Sequence, residues 1–167
     1  LEILRQPLED KEIHIARTYG SFTYPADFML VAALNPCPCG FFPDRNKCSC
    51  SDNEVKRYLN RISGPILDRI DVAIETPRVD IRLATTQNNE SSAAIRQRVL
   101  HAREKQRIRY TGTKYRFNAE LSSGDIKKFC PLGEKEQELM EQAFHQMNLS
   151  ARAYHKIIKV ARTIADL

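Results

Sequence analysis

The apolar run Phe28-Met-Leu-Val-Ala-Ala-Leu34 narrows the folds open to this chain more than any other feature. It is short, carries no polar side chain, and is closed by Asn35-Pro36. Such a run reads as a strand buried on both faces, the kind that belongs to parallel sheets covered by helices. In open sheets of that type, ligands lie beyond the carboxyl ends of the strands. Asn35 is the first polar side chain at that edge. It either faces a ligand or only starts the turn into Pro36, and its spacing does not choose between the two.

A chain of 167 residues fits one domain or two small ones and can bury a real core. Hydrophobic content of 42% and charged content of 28% are those of a soluble globular protein. No apolar run approaches the roughly 20 residues that span a bilayer, so no membrane partner is expected. The opening Leu1-Glu-Ile-Leu-Arg5 has the pattern of a helix interior rather than of a signal peptide. A piece of a longer, cytoplasmic protein is therefore expected. The net charge of +5 permits a polyanionic partner without demanding one.

Local signals then order the elements. Leu1 to Leu8 can form one or two helical turns. Ile13 to Ala16 and Phe22 to Tyr24, around a turn at Thr18 to Ser21, suggest a hairpin. Ser51-Asp-Asn-Glu54 has the spacing of a capping box. It opens a helix with Val55, Tyr58, Leu59 and Ile62 on one face. Gly64-Pro65 interrupts that helix and restarts a turn through Leu67. Ile70 to Ile74 reads as a second strand, stopped by Thr76-Pro77. Beyond Pro77 the signals become helical. Thr85 to Ser92 reads as a linker, and Ser92 to Tyr110 as a basic helix with Ile95, Val99 and Ala102 as its apolar stripe. A short helix is expected over Ser122 to Phe129. A helix over Gly133 to Met147 should bury Leu139, Met140, Ala143, Phe144 and Met147. A last helix, capped by Ser150, should turn Ala151, Tyr154, Ile157, Ile158, Ala161 and Ile164 inward. The expected class is α/β: a piece of a parallel sheet with a hairpin, then an all-α domain, divided as 1–77 and 78–167.

The chemistry is concentrated in a few places. Four of the five cysteines lie between positions 37 and 50. Cys37-x-Cys39 and Cys48-x-Cys50 can supply the four soft ligands of a tetrahedral zinc site, and four cysteines leave no open position for catalysis. The competing reading is four unligated thiols near a surface. Cys130 stands apart and reads as a core residue. Arg69 follows the Pro65-stiffened segment. It is either an ion-pair partner of Asp68 or Asp71 or an arginine presented to a neighbour's phosphoryl group. Arg152 lies in the first turn of the last helix, where the helix dipole disfavours a cation. A phosphate site there would explain the charge; a surface pair with Glu141 would also do so. The basic helix carries Arg96, Arg98, Arg103, Lys105, Arg107 and Arg109 against Glu104. It is a solvated face or a secondary nucleic-acid contact. There is no Gly-rich phosphate loop.

Three motifs carry a resemblance: Leu30-Val-Ala-Ala-Leu-Asn-Pro-Cys-Pro-Cys-Gly40, Arg57-Tyr-Leu-Asn-Arg-Ile-Ser-Gly-Pro-Ile-Leu-Asp-Arg-Ile-Asp71 and Leu149-Ser-Ala-Arg-Ala-Tyr-His155. Together they resemble the magnesium-chelatase-like AAA+ ATPases of the ComM/YifB type, over the whole chain. The resemblance implies the C-terminal portion of a P-loop AAA+ core, with a hairpin insertion and a four-cysteine loop, followed by a helical lid. It implies Asn35 as sensor 1, Arg69 as an arginine finger for the next subunit's ATP, and Arg152 as sensor 2. The hairpin near Ile13 to Tyr24 would be the pre-sensor-1 insertion. ATP and Mg²⁺ would be bound mainly by Walker residues upstream of Leu1, so this stretch alone is not expected to hydrolyse ATP. The implied whole is a ring, expected to be a hexamer, that remodels DNA. A motor acting on a protein complex and a zinc-stabilised binding module are the alternatives.

Overall fold

The computed structural model describes residues 2–76 and 90–167. They belong to two compact units, Leu1–Ala73 and Ile74–Leu167. The expected boundary at 77–78 and most of the expected linker lie outside the described residues.

In the first unit a 3₁₀ turn (Glu2–Leu4) leads into α1 (Arg5–Asp10). Lys11 ends that helix in the left-handed region and returns its N–H to the Pro7 carbonyl, 3.0 Å away. The hairpin follows as β1 (Glu12–Arg17) and β2 (Gly20–Pro25), antiparallel and in register from Glu12 opposite Pro25 to Arg17 opposite Gly20. Ile13 faces Tyr24 and Ile15 faces Phe22, so alternation places these four on one side of the ribbon. His14 lies opposite Thr23 on the other side, its Nδ1 2.8 Å from the Thr23 hydroxyl. No residue of either strand is buried, and Tyr19 at the tip is 99% exposed.

The run Phe28 to Leu34 corrects the expectation of a buried strand. It forms no ladder, and its side chains are exposed, Met29 by 86%. A parallel strand needs at least one hydrogen-bonded neighbour, and one buried on both faces needs covering layers as well. Among the described residues β1 and β2 pair only with each other, so nothing covers the run. Ile70 to Ile74 likewise lies outside any sheet. The partial parallel sheet is thus not formed among the described residues; what is formed is a small antiparallel ribbon with helices.

Helix α2 (Asp52–Leu59) has both halves of its capping box: Ser51 Oγ accepts from the Glu54 N–H, and the Glu54 carboxylate accepts from the Ser51 N–H at 2.8 Å. Val55 is its buried anchor, while Leu59 stays exposed. Pro65 in the first turn starts the one-turn helix α3 (Gly64–Leu67), which buries Ile66.

The second unit contains a packed core. Helix α4 (Ser92–Arg109) starts at the Ser91 cap. It buries Ala102 and Gln106, whereas Ile95 and Val99 of the expected stripe are exposed. Tyr110, Tyr115, Leu121, Ile126, Cys130 and Ile158 form the core cluster, edged by Phe129, Leu132, Met140 and Tyr154. Tyr110 meets Phe129 edge-on, ring centres 5.2 Å apart. The expected helix over Ser122 to Phe129 shortens to α5 (Ile126–Phe129). Helix α6 (Glu134–Gln146) buries less than expected, with Leu139 and Met147 exposed. Helix α7 (Ala151–Asp166) is anchored by Ile158 and Asp166, while Ile164 faces outward.

One polar cluster joins α4 to the end of α7. Arg109 holds both oxygens of Asp166, the Nη1–Oδ2 bond being 2.7 Å. Asn118, 1% exposed, donates from Nδ2 to Asp166 and to Thr163, each at 3.0 Å. Its Oδ1 accepts from the Tyr110 hydroxyl at 2.7 Å and from Arg109 at 2.9 Å. Every polar arm of Asn118's side chain is used, as a buried amide requires. Burial pushes the Asp166 carboxyl up, but the bonds from Arg109 and Asn118 more than reverse this and leave it below its ordinary value of 3.8.

Candidate functional site

The four clustered cysteines converge. Their sulfurs all lie within 4.8 Å of one another. Cys37 Sγ stands 3.3 Å from Cys39 Sγ and 3.8 Å from Cys48 Sγ, and the Cys39–Cys48 separation is 3.6 Å. A tetrahedron with the usual Zn–S bond has S–S edges of about 3.8 Å, so the donor set fits one ion. Among the described residues this is the group with metal-ligand geometry. Backbone amides already favour negative charge there. The Phe41 N–H pulls the Cys39 thiol down to about 6, and the Phe42 N–H approaches Cys37 Sγ at 3.4 Å. The Cys39 amide acts on Cys50 in the same sense. Burial and the neighbouring thiols overcome it and push Cys50 up to about 12. Together the thiols cannot all ionise unaided; a cation would let them. Arg45 braces the loop, donating to the Cys50 carbonyl at 3.4 Å and pairing with Asp52, two residues beyond Cys50.

Asn35 sits beside this loop. A Cβ added to Gly40 would stand 3.9 Å from Asn35 Cγ, so the amide lies against Gly40. Gly40 has φ +78°, a conformation glycine takes without strain. The Asn35 side chain is exposed. Arg69 follows α3. Its Nη1 donates to the Pro65 carbonyl at 2.6 Å, and its guanidinium forms an ion pair with Glu9 of α1. Arg152 lies exposed in the first turn of α7, where Ser150 Oγ accepts from the Ala153 N–H at 3.1 Å. The structure therefore brings the four cysteines together with Asn35 beside them. Arg69 is elsewhere in the same unit, and Arg152 belongs to the other.

Sequence reasoning missed a cavity of about 240 Å³ at the α6–α7 junction, lined by Glu141, Phe144, His145, Ala151, Tyr154 and His155. The histidines show no ligand spacing in sequence, and only the turn between the helices brings them to one opening. The basic helix is largely satisfied within its own unit. Arg98 pairs with Glu90, Arg107 with Glu104, Arg109 with Asp166, and Lys105 donates to the Asp166 carbonyl.

Two family models account for the chain. That of the magnesium chelatase subunit ChlI matches residues 1–84, and that of the ChlI C-terminal region matches residues 89–167. The chain belongs to the magnesium chelatase family. Within that family it is 43% identical to the uncharacterized protein YifB of Escherichia coli and 44% identical to the competence protein ComM of Haemophilus influenzae. It is 40% identical to the uncharacterized protein Rv2897c of Mycobacterium tuberculosis. Each match covers the whole of this chain and 32–33% of the relative. The chain thus spans about a third of the length of these magnesium chelatase relatives. No helix among the described residues is long and apolar enough to cross a membrane.

Proposed function

We propose that this chain is the C-terminal part of an AAA+ core (1–77) and its helical lid (78–167), within a ring-forming ATPase that remodels DNA. The observation that carries the reading is the match to ComM across the chain's full length, with Arg69 just after α3 and Arg152 in the first turn of α7. Asn35 would orient the attacking water, Arg152 would close the lid on its own subunit's nucleotide, and Arg69 would reach the ATP of the next subunit. These are donors of the kind a phosphate takes. ATP and Mg²⁺ would be held mainly by other parts of the full-length protein; this chain supplies positive charge and hydrogen bonds where charge develops. Zn²⁺ would be held by Cys37, Cys39, Cys48 and Cys50 as a structural ion that fixes the loop behind Asn35. The ring, expected to be a hexamer, supplies the neighbour that Arg69 needs.

The test is ATP turnover of the full-length protein with single-stranded, duplex and branched DNA. Stimulation by DNA supports the reading. Turnover indifferent to all three favours a motor that acts on a protein complex. Arg69→Ala should lower turnover by about 10³-fold or more, the scale of an arginine finger, with ATP binding retained. Mixing it with a variant lacking the phosphate-loop lysine should restore part of the activity, because fingers of one subunit serve pockets of another. Arg152→Ala should gain nothing from that mixture, since both defects then disable the pocket of their own subunit.

A further inference from the structure

We propose that Glu9 is a latch on Arg69: it keeps the guanidinium folded against its own subunit until a neighbour's phosphoryl group draws it out. The inference rests on the reading of Arg69 as an arginine finger. A finger must extend from the surface that carries it, and here it does not. The Arg69 side chain is 13% exposed, with Nη2 on the Glu9 carboxylate and Nη1 on the Pro65 carbonyl. Its Nε is buried with no acceptor. The guanidinium offers five N–H donors, and this arrangement leaves one of them desolvated and unused, which is unfavourable.

The two anchors differ. Pro65 belongs to the proline-started turn of α3, on the same short segment as Arg69. Glu9 comes from α1, sixty residues away in sequence, and is half-exposed. Water reaches the pair from the half-exposed Glu9 side, which holds its worth to about a fivefold shift in an equilibrium, so it can be exchanged. A phosphoryl group offers three oxygens and more charge than one carboxylate. It can take a bidentate contact that includes Nε, and satisfying that donor offsets the loss of Glu9. Release thus depends on an anion arriving from the next subunit, which couples the finger to occupancy of the neighbouring site.

Glu9→Gln in the full-length protein separates the latch from a merely structural pair. It keeps size and hydrogen bonding but removes the charge. The expected result is ATP turnover raised about twofold to fivefold, within the worth of such a pair. Arg69 should also react faster with an arginine-specific dicarbonyl reagent in nucleotide-free protein, read by mass spectrometry of its peptide. In an Arg69→Ala background, Glu9→Gln should add nothing. Unchanged or reduced turnover together with unchanged labelling overturns the latch. If Arg69→Ala itself turns over ATP at the wild-type rate, the finger reading falls first. If Arg69→Ala is inactive while Glu9→Gln matches wild type in both readouts, only the latch falls.

Discussion

The two units hold together by different means. The second has an apolar cluster of six buried residues and a polar knot in which Arg109, Asp166 and Asn118 share their hydrogen bonds. The first buries little: Cys37, Val55, Ile66 and Pro7 are the buried apolar residues among those described, while its hairpin and the run Phe28 to Leu34 stay open. In place of a core it has a sulfur cluster, a capping box and ion pairs from arginines that include Arg45–Asp52 and Arg69–Glu9. Packing supports the second unit. Point attachments that a ligand can strengthen or exchange support the first.

Metal content breaks that contrast hardest. Protein purified without chelators should carry about one zinc per chain, the content of a single four-cysteine site. Structural zinc contributes about 10–16 kcal/mol in small zinc peptides. Chelation should therefore abolish amide-exchange protection in α2 while leaving α7 protected. Absence of metal with four freely reactive thiols refutes the site.

The next largest effect lies in the second unit. Asp166→Ala strands the Arg109 guanidinium and should cost about 3–5 kcal/mol, as broken buried pairs do, measured by denaturant unfolding. The pH dependence has the same origin. The carboxyl is depressed in the folded state, so its contribution is complete above its ordinary value of 3.8 and is lost as pH falls through the lower folded value. Asp166→Asn should flatten the acid limb of the second unit's unfolding. The zinc cluster should set the acid response of the first, since its ligands must shed metal to protonate.

The smallest effect concerns the outer face of α4. Arg107 is paired with Glu104, and Arg103 lies over the Phe117 ring at 5.5 Å. An arginine that grips a DNA phosphate adds about 1 to the salt slope of binding. Replacing Arg96, Arg103 and Arg107 together with glutamine in the full-length protein should lower that slope by less than the sum such a grip at every one of these positions would give.

Locally encoded features were legible. Ser51 and Glu54 announce α2, Ser150 announces α7, and the cysteines advertise themselves by standing within fourteen positions. The hairpin could be read because its partners are adjacent in sequence. Phe28 to Leu34 misled for the complementary reason: apolarity encodes a wish to be covered, but a strand exists only where another lies beside it. The Arg109–Asp166–Asn118 knot and the Glu9–Arg69 pair were invisible, since each joins residues some fifty or sixty positions apart. The buried side of α4 was misjudged because Gln106 gains from the Asn118 N–H what periodicity credits only to apolar side chains.

The knot at Asp166 also has a mechanical meaning. Helix α7 is a stiff rod pinned at its far end by Asp166 and held along its length by Ile158 and Tyr154, and Arg152 lies about 21 Å from Asp166 along the axis at 1.5 Å per residue. A tilt of about 5° at the pin carries the Arg152 backbone through about 2 Å over that length. That sweep is enough to make or break a hydrogen bond. Tyr154 and Ile158 hold the rod against such a tilt, so the packing of the core fixes where Arg152 stands relative to an anchor it never touches.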